Sequence, residues 1–273
     1  MKKIFLIAFI LPLLLFISCQ DVVNVDLNNA PPKLVIDASI NWQKGTLGNE
    51  QKIKLTTTTD YFNTKIPIVT GATVVIKNSE NTLFDFIEVP NTGEYVCSNF
   101  IPIIGEKYTL SIVSNNQTYT ASETLKPVAA INNIVQNNQG GITGTDIEIK
   151  TFYTDPANEE DYYLYKYTYS TKLKSEYYVD EDTFFQGNTF FSTSRNNDLK
   201  VGELVEVTHF GISKSYYNYM NVLLSIAGNS GGSPFQSPPA TVRGNIINTT
   251  DSGNFALGYF RLCETDSRNY TVQ

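Results

Sequence analysis

Histidine, cysteine and tryptophan are scarce in this chain of 273 residues, which has one histidine, three cysteines and one tryptophan. The single histidine, His209, excludes a two-histidine metal site and a zinc-protease helix motif within one chain. No Gly-x-Ser-x-Gly elbow is present, and Ser and Thr hydroxyls without a neighbouring base have no activator. His209 is in phase with Val205 and Val207 at the end of a predicted strand, so we interpret it as a structural imidazole rather than a general base. The sequence therefore predicts a protein that is not an enzyme.

An excess of positive charge is also missing. The chain has 20 Lys and Arg residues against 27 Asp and Glu residues, for a net charge of −7. Loss of residues 1–18 would remove two lysines and no acid, which makes the remaining chain more acidic. No basic patch stands out in the sequence. Because an acidic surface repels phosphate, nucleic acid is excluded as a partner and anionic lipid headgroups are disfavoured.

The one long apolar run, Ile4–Ile17, has 14 residues. It is shorter than the ~20 residues that a membrane helix needs. Lys2 and Lys3 precede the run, and its end overlaps a loose lipobox, Phe16-Ile17-Ser18-Cys19. We therefore predict a lipoprotein signal peptide over 1–18 and a covalent lipid on Cys19. An ordinary signal peptide with an incidental cysteine is the alternative. The polar residues 19–32, ending in two prolines, are predicted to form a tether between the lipid and the folded body.

After lipidation only Cys97 and Cys263 remain, and they lie in different halves of the chain. Two cysteines are too few for a framework of several disulfide bridges. A single bridge in an oxidising envelope and two separate buried thiols are both compatible with the sequence.

Short alternating strands predict a mainly all-β fold of two antiparallel β-sandwich domains. Residues 33–125 contain seven evenly spaced strand patterns, beginning with Leu34, Ile36, Ala38 and Ile40, and they indicate an Ig-like or prealbumin-like sandwich. Asparagine-rich turns separate the strands, at Asn78–Asn81, Asn91–Gly93 and Asn115-Asn116.

The second half of the chain also contains patterns of strands and turns. The Asn-rich stretch 126–141 is interpreted as a linker of turns, and residues 142–273 as a second β-sandwich. One helix is predicted at about 213–227, because its apolar residues follow the i, i+3, i+4, i+7 rule, Ser213 or Ser215 can cap its start, and Gly228 can end it.

Several segments together resemble one bacterial family. They are Leu34–Asn41, Val69–Val74, Gly93–Tyr95, Gly244–Asn248 and Leu257–Phe260. In this order and spacing the chain resembles the Bacteroidetes lipoproteins grouped as domain of unknown function 4249. The resemblance implies an outer-membrane lipoprotein, exposed at the cell surface if Gln20-Asp21 acts as the export signal that it resembles, and working beside a TonB-dependent transporter. The family has no assigned catalytic residues, so the resemblance implies no site chemistry.

The acidic loop 155–161 and the group 180–182 are the densest clusters of carboxylates. We interpret the loop as solvated, with calcium as the alternative, because hard oxygen ligands are concentrated there but the spacing of an EF-hand is missing. Paired carboxylates can also hydrolyse glycosides when they face each other across a cleft. Adjacent residues on one loop do not provide such a pair.

Four tyrosines alternate along one predicted strand and are the candidate ligand contacts: Tyr163, Tyr165, Tyr167 and Tyr169. Exposed, they could stack on sugar rings or contact a protein; buried, they form the inner face of the sandwich. The residues between them are mostly polar, which favours the buried interpretation.

Three function classes follow. The sequence favours a non-catalytic, lipid-anchored outer-membrane lipoprotein that binds or supports a partner. The first alternative is a glycan- or peptide-binding surface module, which requires exposed tyrosines around a groove. The second is a carboxylate-based hydrolase, which requires two carboxylates that converge in a pocket.

Overall fold

The structure, a computed structural model, describes residues 31–60, 63–141, 143–194, 196, 198–228 and 241–273. The predicted leader, Cys19 and most of the tether lie outside these residues. Within them the chain forms fifteen strands and one helix, so the predicted mainly β fold class is confirmed. None of the helical structure in the described ranges is long and apolar enough to span a bilayer.

The first half of the chain forms a sandwich that we call the N-terminal sandwich. Its strands are β1 (Leu34–Gln43), β2 (Gln51–Thr57), β3 (Thr73–Lys77), β4 (Leu83–Val89), β5 (Glu94–Cys97), β6 (Lys107–Ser114), β7 (Gln117–Thr124) and the distant β14 (Ile247–Asn248). The strands β1-β2-β5-β4 form one run and β4-β3-β6-β7-β14 the other, with β4 shared between them. Alternate residues point inward: Ile36, Ala38 and Ile40 are fully buried together with Tyr95 and Tyr108. Period-two patterning therefore builds this core as predicted.

The predicted turns contain asparagines in the left-handed backbone conformation. Asn81, Asn91, Asn115 and Asn116 all have positive φ angles, between 48° and 63°. Asn81 and Asn91 lie in the β3–β4 and β4–β5 connections, and the Asn115-Asn116 pair joins β6 to β7. Asparagine adopts this left-handed region more readily than other non-glycine residues, so these turns are encoded locally.

The second half forms a further layered unit, the C-terminal sandwich. Its strands are β8 (Ile131–Gly140), β9 (Asp146–Thr154), β10 (Tyr162–Tyr169), β11 (Glu176–Glu181), β12 (Thr189–Thr193), β13 (Leu204–Ile212) and β15 (Leu257–Thr271). A three-stranded sheet, β12-β9-β8, packs its Ile149 and Tyr153 against the tyrosines of β10 and the valines of β13. The sheet of β11-β10-β13-β15 continues directly into β1, which gives one twelve-stranded sheet.

Strand β15 belongs to both sandwiches. Its residues from Leu257 to Thr265 pair in parallel with β1, and those from Thr265 to Thr271 pair antiparallel with β13. An ideal Cβ on Gly258 would lie 2.0 Å from the carbonyl oxygen of Ile36, so the close approach of β15 to β1 requires glycine at that position. The prediction of purely antiparallel sheets was therefore wrong at this pair. Parallel strands need no shared hairpin, so no local signal marks their pairing.

The stretch 126–141, interpreted from sequence as a linker of turns, is mostly a strand. Ile131–Gly140 form β8, which pairs with β9 and carries two register irregularities. The residues before it are attached to β15: Val128 N–H donates to Glu264 Oε2 (3.0 Å) and Ile131 N–H donates to Asp266 Oδ2 (2.8 Å). The linker interpretation fails because polar asparagine and glutamine side chains on an edge strand hide the usual alternation.

The helix α1 (Lys214–Gly228) confirms the predicted one within a residue at each end. Ser213 is its N-cap, since its hydroxyl accepts the Tyr216 N–H at 3.2 Å. The apolar side of α1, including Tyr216 and Met220, packs on Phe210 and Cys263 of the sheet.

Cys97 and Cys263 are both buried and free, so they form no bridge with each other.

Glu264 offers a test of how the two sandwiches are joined. It is 7% exposed, and its Oε2 accepts both the Val128 N–H and the Lys44 ammonium, at 3.0 and 2.8 Å. Glu264→Ala leaves a buried N–H without an acceptor, so we expect the free energy of unfolding to fall by about 2 to 3 kcal/mol in denaturant titrations. The control Glu94→Ala removes a more exposed partner of Lys52 and should cost no more than about 1 kcal/mol. Equal losses for the two variants would contradict this role.

Candidate binding surfaces and the buried acidic cluster

The four candidate tyrosines lie in the core of the C-terminal sandwich. Tyr163, Tyr165, Tyr167 and Tyr169 are between 0% and 2% exposed. Three of their hydroxyls bond to internal acceptors: Tyr163 Oη donates to Asp155 Oδ1 at 2.6 Å, Tyr167 Oη to Thr151 Oγ1 at 3.5 Å, and Tyr169 Oη to Glu176 Oε2 at 2.8 Å. The row is thus the inner face of the sheet, the arrangement that its polar alternation favours, and it offers no surface to an external ligand.

His209 is surrounded by these rings. It is fully buried, stacks on Tyr165 with 4.7 Å between ring centroids, and lies 4.7 Å from the rings of both Tyr153 and Tyr163. Within the described residues neither ring nitrogen has a hydrogen-bond partner of normal geometry. Burial lowers the pKa of His209 to about 3, so the imidazole is neutral at physiological pH. It is a core aromatic residue, and its polar contact is with the backbone of Ala129.

The two acidic groups that are separate in the sequence meet in the structure. One carboxylate oxygen from each of Asp155, Asp161 and Asp182 lies within 4.8 Å of the others. Asp161 directly precedes β10 and Asp182 directly follows β11, so the β10–β11 hairpin brings them together, and the Asp161 N–H donates to Asp182 Oδ2 at 3.0 Å. The signal that predicts this meeting was present, because both groups flank the same pair of predicted strands.

The short distances between these carboxyl groups disfavour their ionised forms. Burial, followed by repulsion from Asp155, Glu159 and Asp182, raises the pKa of Asp161 to about 6. Burial also raises the pKa of Asp155, although the hydrogen bond from Tyr163 opposes that rise. At neutral pH the cluster therefore holds negative charge at a cost, which a proton or a bound cation would remove.

Hard carboxylate oxygens are the donors that calcium prefers, but calcium takes six to eight of them. Asp155 accepts hydrogen bonds from Tyr163 Oη and Gly187 N–H, and Asp182 accepts one from the backbone of Asp161. Asp155 and Asp182 are each 2% exposed, so the three groups face inward rather than across a cleft. The cluster is where a cation could bind, and its burial does not suit a substrate.

A groove runs between α1 and the segment 241–245, with a volume of about 490 Å³. It is lined by Ser215, Asn218, Tyr219, Val222, Thr241, Val242, Arg243, Gly244, Asn245 and Tyr259. The ring of Tyr219 lies 4.9 Å from that of Tyr259, and burial raises the pKa of both hydroxyls, which stay protonated. Aromatic faces beside amide and guanidinium groups suit a sugar or a peptide. The sequence analysis missed this groove because its tyrosines come from different elements.

The segment 241–245 is held firmly on β15. The side chain of Asn245 bonds Phe260 in both directions, accepting its N–H at 2.9 Å and donating to its carbonyl oxygen at 2.8 Å. An ideal Cβ on Gly244 would lie 1.8 Å from the Gly258 carbonyl oxygen, so only glycine fits there. One wall of the groove is therefore fixed by backbone packing.

A second surface feature is an apolar strip on the outer face of β2, β5 and β4. Leu83, Ile87 and Val96 are 59%, 66% and 40% exposed, and Ile87 pairs directly with Val96 across neighbouring strands. A shallow groove of about 560 Å³ follows this face and reaches Glu50, Gln51 and Lys52. Asp85 lies between Leu83 and Ile87 on this face, so the continuous apolar part of the strip is the Ile87–Val96 pair. Exposed apolar neighbours of this kind are typical of protein–protein contacts.

Comparisons with known proteins give one family match. The model of the family described as "Domain of unknown function (DUF4249)" matches residues 20–269. No curated protein matches significantly.

Solved structures show distant likenesses. A two fibronectin type-III domain segment from chicken tenascin is 15% identical, over 66% of this chain and 90% of that one, with a TM-score of 0.22. A DUF4785 family protein from Legionella pneumophila is 8% identical, over 65% and 52% of the two chains, with a TM-score of 0.27. The FN1–FN3 domains of chicken CNTN1 are 11% identical, over 67% and 60%, with a TM-score of 0.27. Such low identities and TM-scores carry no information about function.

The raised pKa of Asp161 predicts a pH-dependent stability. A carboxyl whose pKa rises from about 4 in the unfolded chain to about 6 in the folded protein stabilises the fold below pH 4, and this contribution is lost as the pH rises through 6. We expect Asp161→Asn to remove this dependence and to melt a few degrees above the unsubstituted protein at pH 7.5. Thermal unfolding followed by circular dichroism in EDTA measures both effects. The exposed control Glu80→Gln should change neither, and a Tm difference for Asp161→Asn that is constant from pH 4 to 7 would refute the assignment.

Proposed function

The chain belongs to the family described as domain of unknown function DUF4249, and we propose that it is a non-catalytic lipoprotein of the bacterial outer membrane that binds a partner protein. In this proposal Cys19 carries the lipid, and the residues after it tether the two sandwiches to the membrane, at the cell surface if Gln20-Asp21 acts as an export signal. The partner that the family resemblance favours is a TonB-dependent transporter. The proposed role needs no cofactor.

The observation that carries the proposal is the apolar strip of Leu83, Ile87 and Val96. These side chains lie on outward positions of regular strands, where polar residues would be equally compatible with the fold. Ile87 and Val96 lie side by side on β4 and β5, and they gain free energy when a partner covers them. Lys52 beside them supplies the polar rim that protein interfaces usually have.

Shared anchoring in one membrane supports a transporter as the partner. Two proteins held in the same membrane meet at a high effective concentration, so a modest surface is sufficient for a stable complex. The strip is small. It is therefore better suited to a partner held in the same membrane than to a protein that diffuses freely.

The absence of bond chemistry is part of the proposal. His209 is neutral and enclosed by tyrosine rings, and Asp155 and Asp182 are buried against internal donors. A hydrolase would need at least one of these groups to face a substrate in a cleft. Their burial favours a structural role.

Substitution within the strip tests the partner surface. Ile87→Glu places a charge at the centre of the proposed interface, so we expect recovery of a co-purifying transporter from outer membranes to fall by about 30-fold, the effect of a typical hot-spot residue. Ile247→Glu is the matched control, because Ile247 is the same residue type, is 65% exposed and lies on β14, in the other run of strands. The pull-down uses the full-length tagged lipoprotein. Recovery of the lipoprotein alone, or equal losses with both variants, would contradict the proposal.

A glycan- or peptide-binding role is the second candidate, and the tyrosine groove beside α1 favours it. Tyr219 lines the groove with Asn218 and Arg243, while the buried Tyr259 ring packs behind it, and this combination can stack on a sugar and bond its hydroxyls.

Tyr219→Ala tests this second candidate. Loss of ring stacking should weaken binding to any glycan-array ligand by about tenfold, as removal of a stacked aromatic ring does. Tyr177→Ala, which changes a 38% exposed tyrosine outside the groove, should leave that binding unchanged. If Tyr219→Ala binds every such ligand like the unsubstituted protein, the groove is not the glycan site.

A further inference from the structure

Two cations share one aromatic ring where the described chain begins. The Lys33 ammonium and the Arg243 guanidinium carbon each lie 3.8 Å from the ring centroid of Phe255. The two charges are therefore no farther apart than twice this distance. Each cation gains from the ring quadrupole, but the two repel each other.

Fixed backbone holds both cations in place. Lys33 N–H donates to Thr58 Oγ1 at 2.9 Å, and the Thr58 N–H donates back to the Lys33 carbonyl oxygen at 2.9 Å. Arg243 precedes Gly244 and Asn245, which are locked against Gly258 and Phe260. The pair is thus preorganised by the fold.

No carboxylate neutralises the pair within the described ranges, where neither Lys33 nor Arg243 forms an ion pair. Asp251, in the turn before Phe255, accepts the Gly253 N–H instead. The two cations repel each other, and an anion from outside the chain that contacts both would offset this repulsion.

Both groups suit the phosphates of lipid headgroups. Ammonium and guanidinium groups bind phosphate, and guanidinium does so with paired hydrogen bonds. Two cations held beside one ring can each contact a headgroup phosphate of the same membrane. Ile68 pairs with Thr56 of β2, and Ile66 and Ile68 are 66% and 41% exposed.

The place of the pair in the chain identifies the source of the phosphate. Lys33 directly follows Pro31-Pro32, where the proposed tether joins the body. The 13 residues from Gln20 to Pro32 span at most roughly 45 Å when extended, and this length is the upper limit on the distance between Lys33 and the proposed lipid anchor. Membrane phosphates are the anions that this end meets most often.

We infer that Lys33 and Arg243, held on Phe255, form a docking site for the phosphate of membrane lipid headgroups. The inference rests on the proposed lipid anchoring. It refines the view from composition that an acidic chain avoids anionic lipids, because charges more than about 8 Å away are screened at physiological salt whereas direct contacts are not. The site orients the body with its tether end against the bilayer.

Vesicle binding without the lipid anchor isolates this site. The chain is produced from residue 19 onward with Cys19→Ser, which leaves the compact unit Pro32–Gln273 intact. Binding to vesicles of phosphatidylcholine mixed with phosphatidylglycerol is measured by co-sedimentation. We expect Lys33→Gln with Arg243→Gln to weaken this binding by about 30-fold, since each cation near a surface contributes about a fivefold effect.

Lys52→Gln with Lys54→Gln is the matched control, because it removes the same charge from residues that pair with Glu94 on the sheet face. It should leave vesicle binding within about twofold. Equal losses in the two double variants, or binding of inorganic phosphate without vesicle binding, would each overturn the inference. Recovery of a transporter in the pull-down is independent of these outcomes, so the proposed function can stand when the docking site fails.

Discussion

The pairing of β15 with both β1 and β13 is the constraint on which the architecture depends. One strand of 15 residues completes the sheet of the N-terminal sandwich with its first half and that of the C-terminal sandwich with its second. Its carboxylates Glu264 and Asp266 bond the backbone that leads into β8. One continuous sheet therefore contributes strands to both cores, and its hydrogen bonds hold residues 126–131 in place.

The C-terminal sandwich combines this sheet with several buried polar groups. Tyr153, Tyr165 and His209 have buried polar atoms that make no hydrogen bond of normal geometry in the described structure, and the carboxyl of Asp161 is crowded by two others. Buried polar groups without partners cost free energy, whereas the large ring areas buried beside them stabilise the fold. The surfaces that suit partners lie elsewhere: the apolar strip on β2, β5 and β4, the groove beside α1, and the cations on Phe255.

Local patterns predict much of the fold and little of the site. Alternation and asparagine turns predict the seven strands β1 to β7, and helical periodicity with the Ser213 cap predicts α1. The β8 strand is missed because its polar side chains lie on an edge, and the parallel β1–β15 pair joins residues that are far apart in sequence. The acidic cluster forms where the paired strands β10 and β11 bring the two acidic groups together. The stacking of Lys33 and Arg243 on Phe255 depends on side-chain packing that no period encodes.

The separation of β1 and β15 along the chain has a consequence for biogenesis. Contacts between these strands form slowly, because a long loop must close before the two strands can pair. Leu257–Thr271 leaves a ribosome or export channel after β1 and β13, so the sheet edges of β1 and β13 stay unpaired until then. An unpaired edge of this kind can recruit strands from other chains. A product of proteolysis or premature termination that lacks β15 would therefore be prone to aggregate.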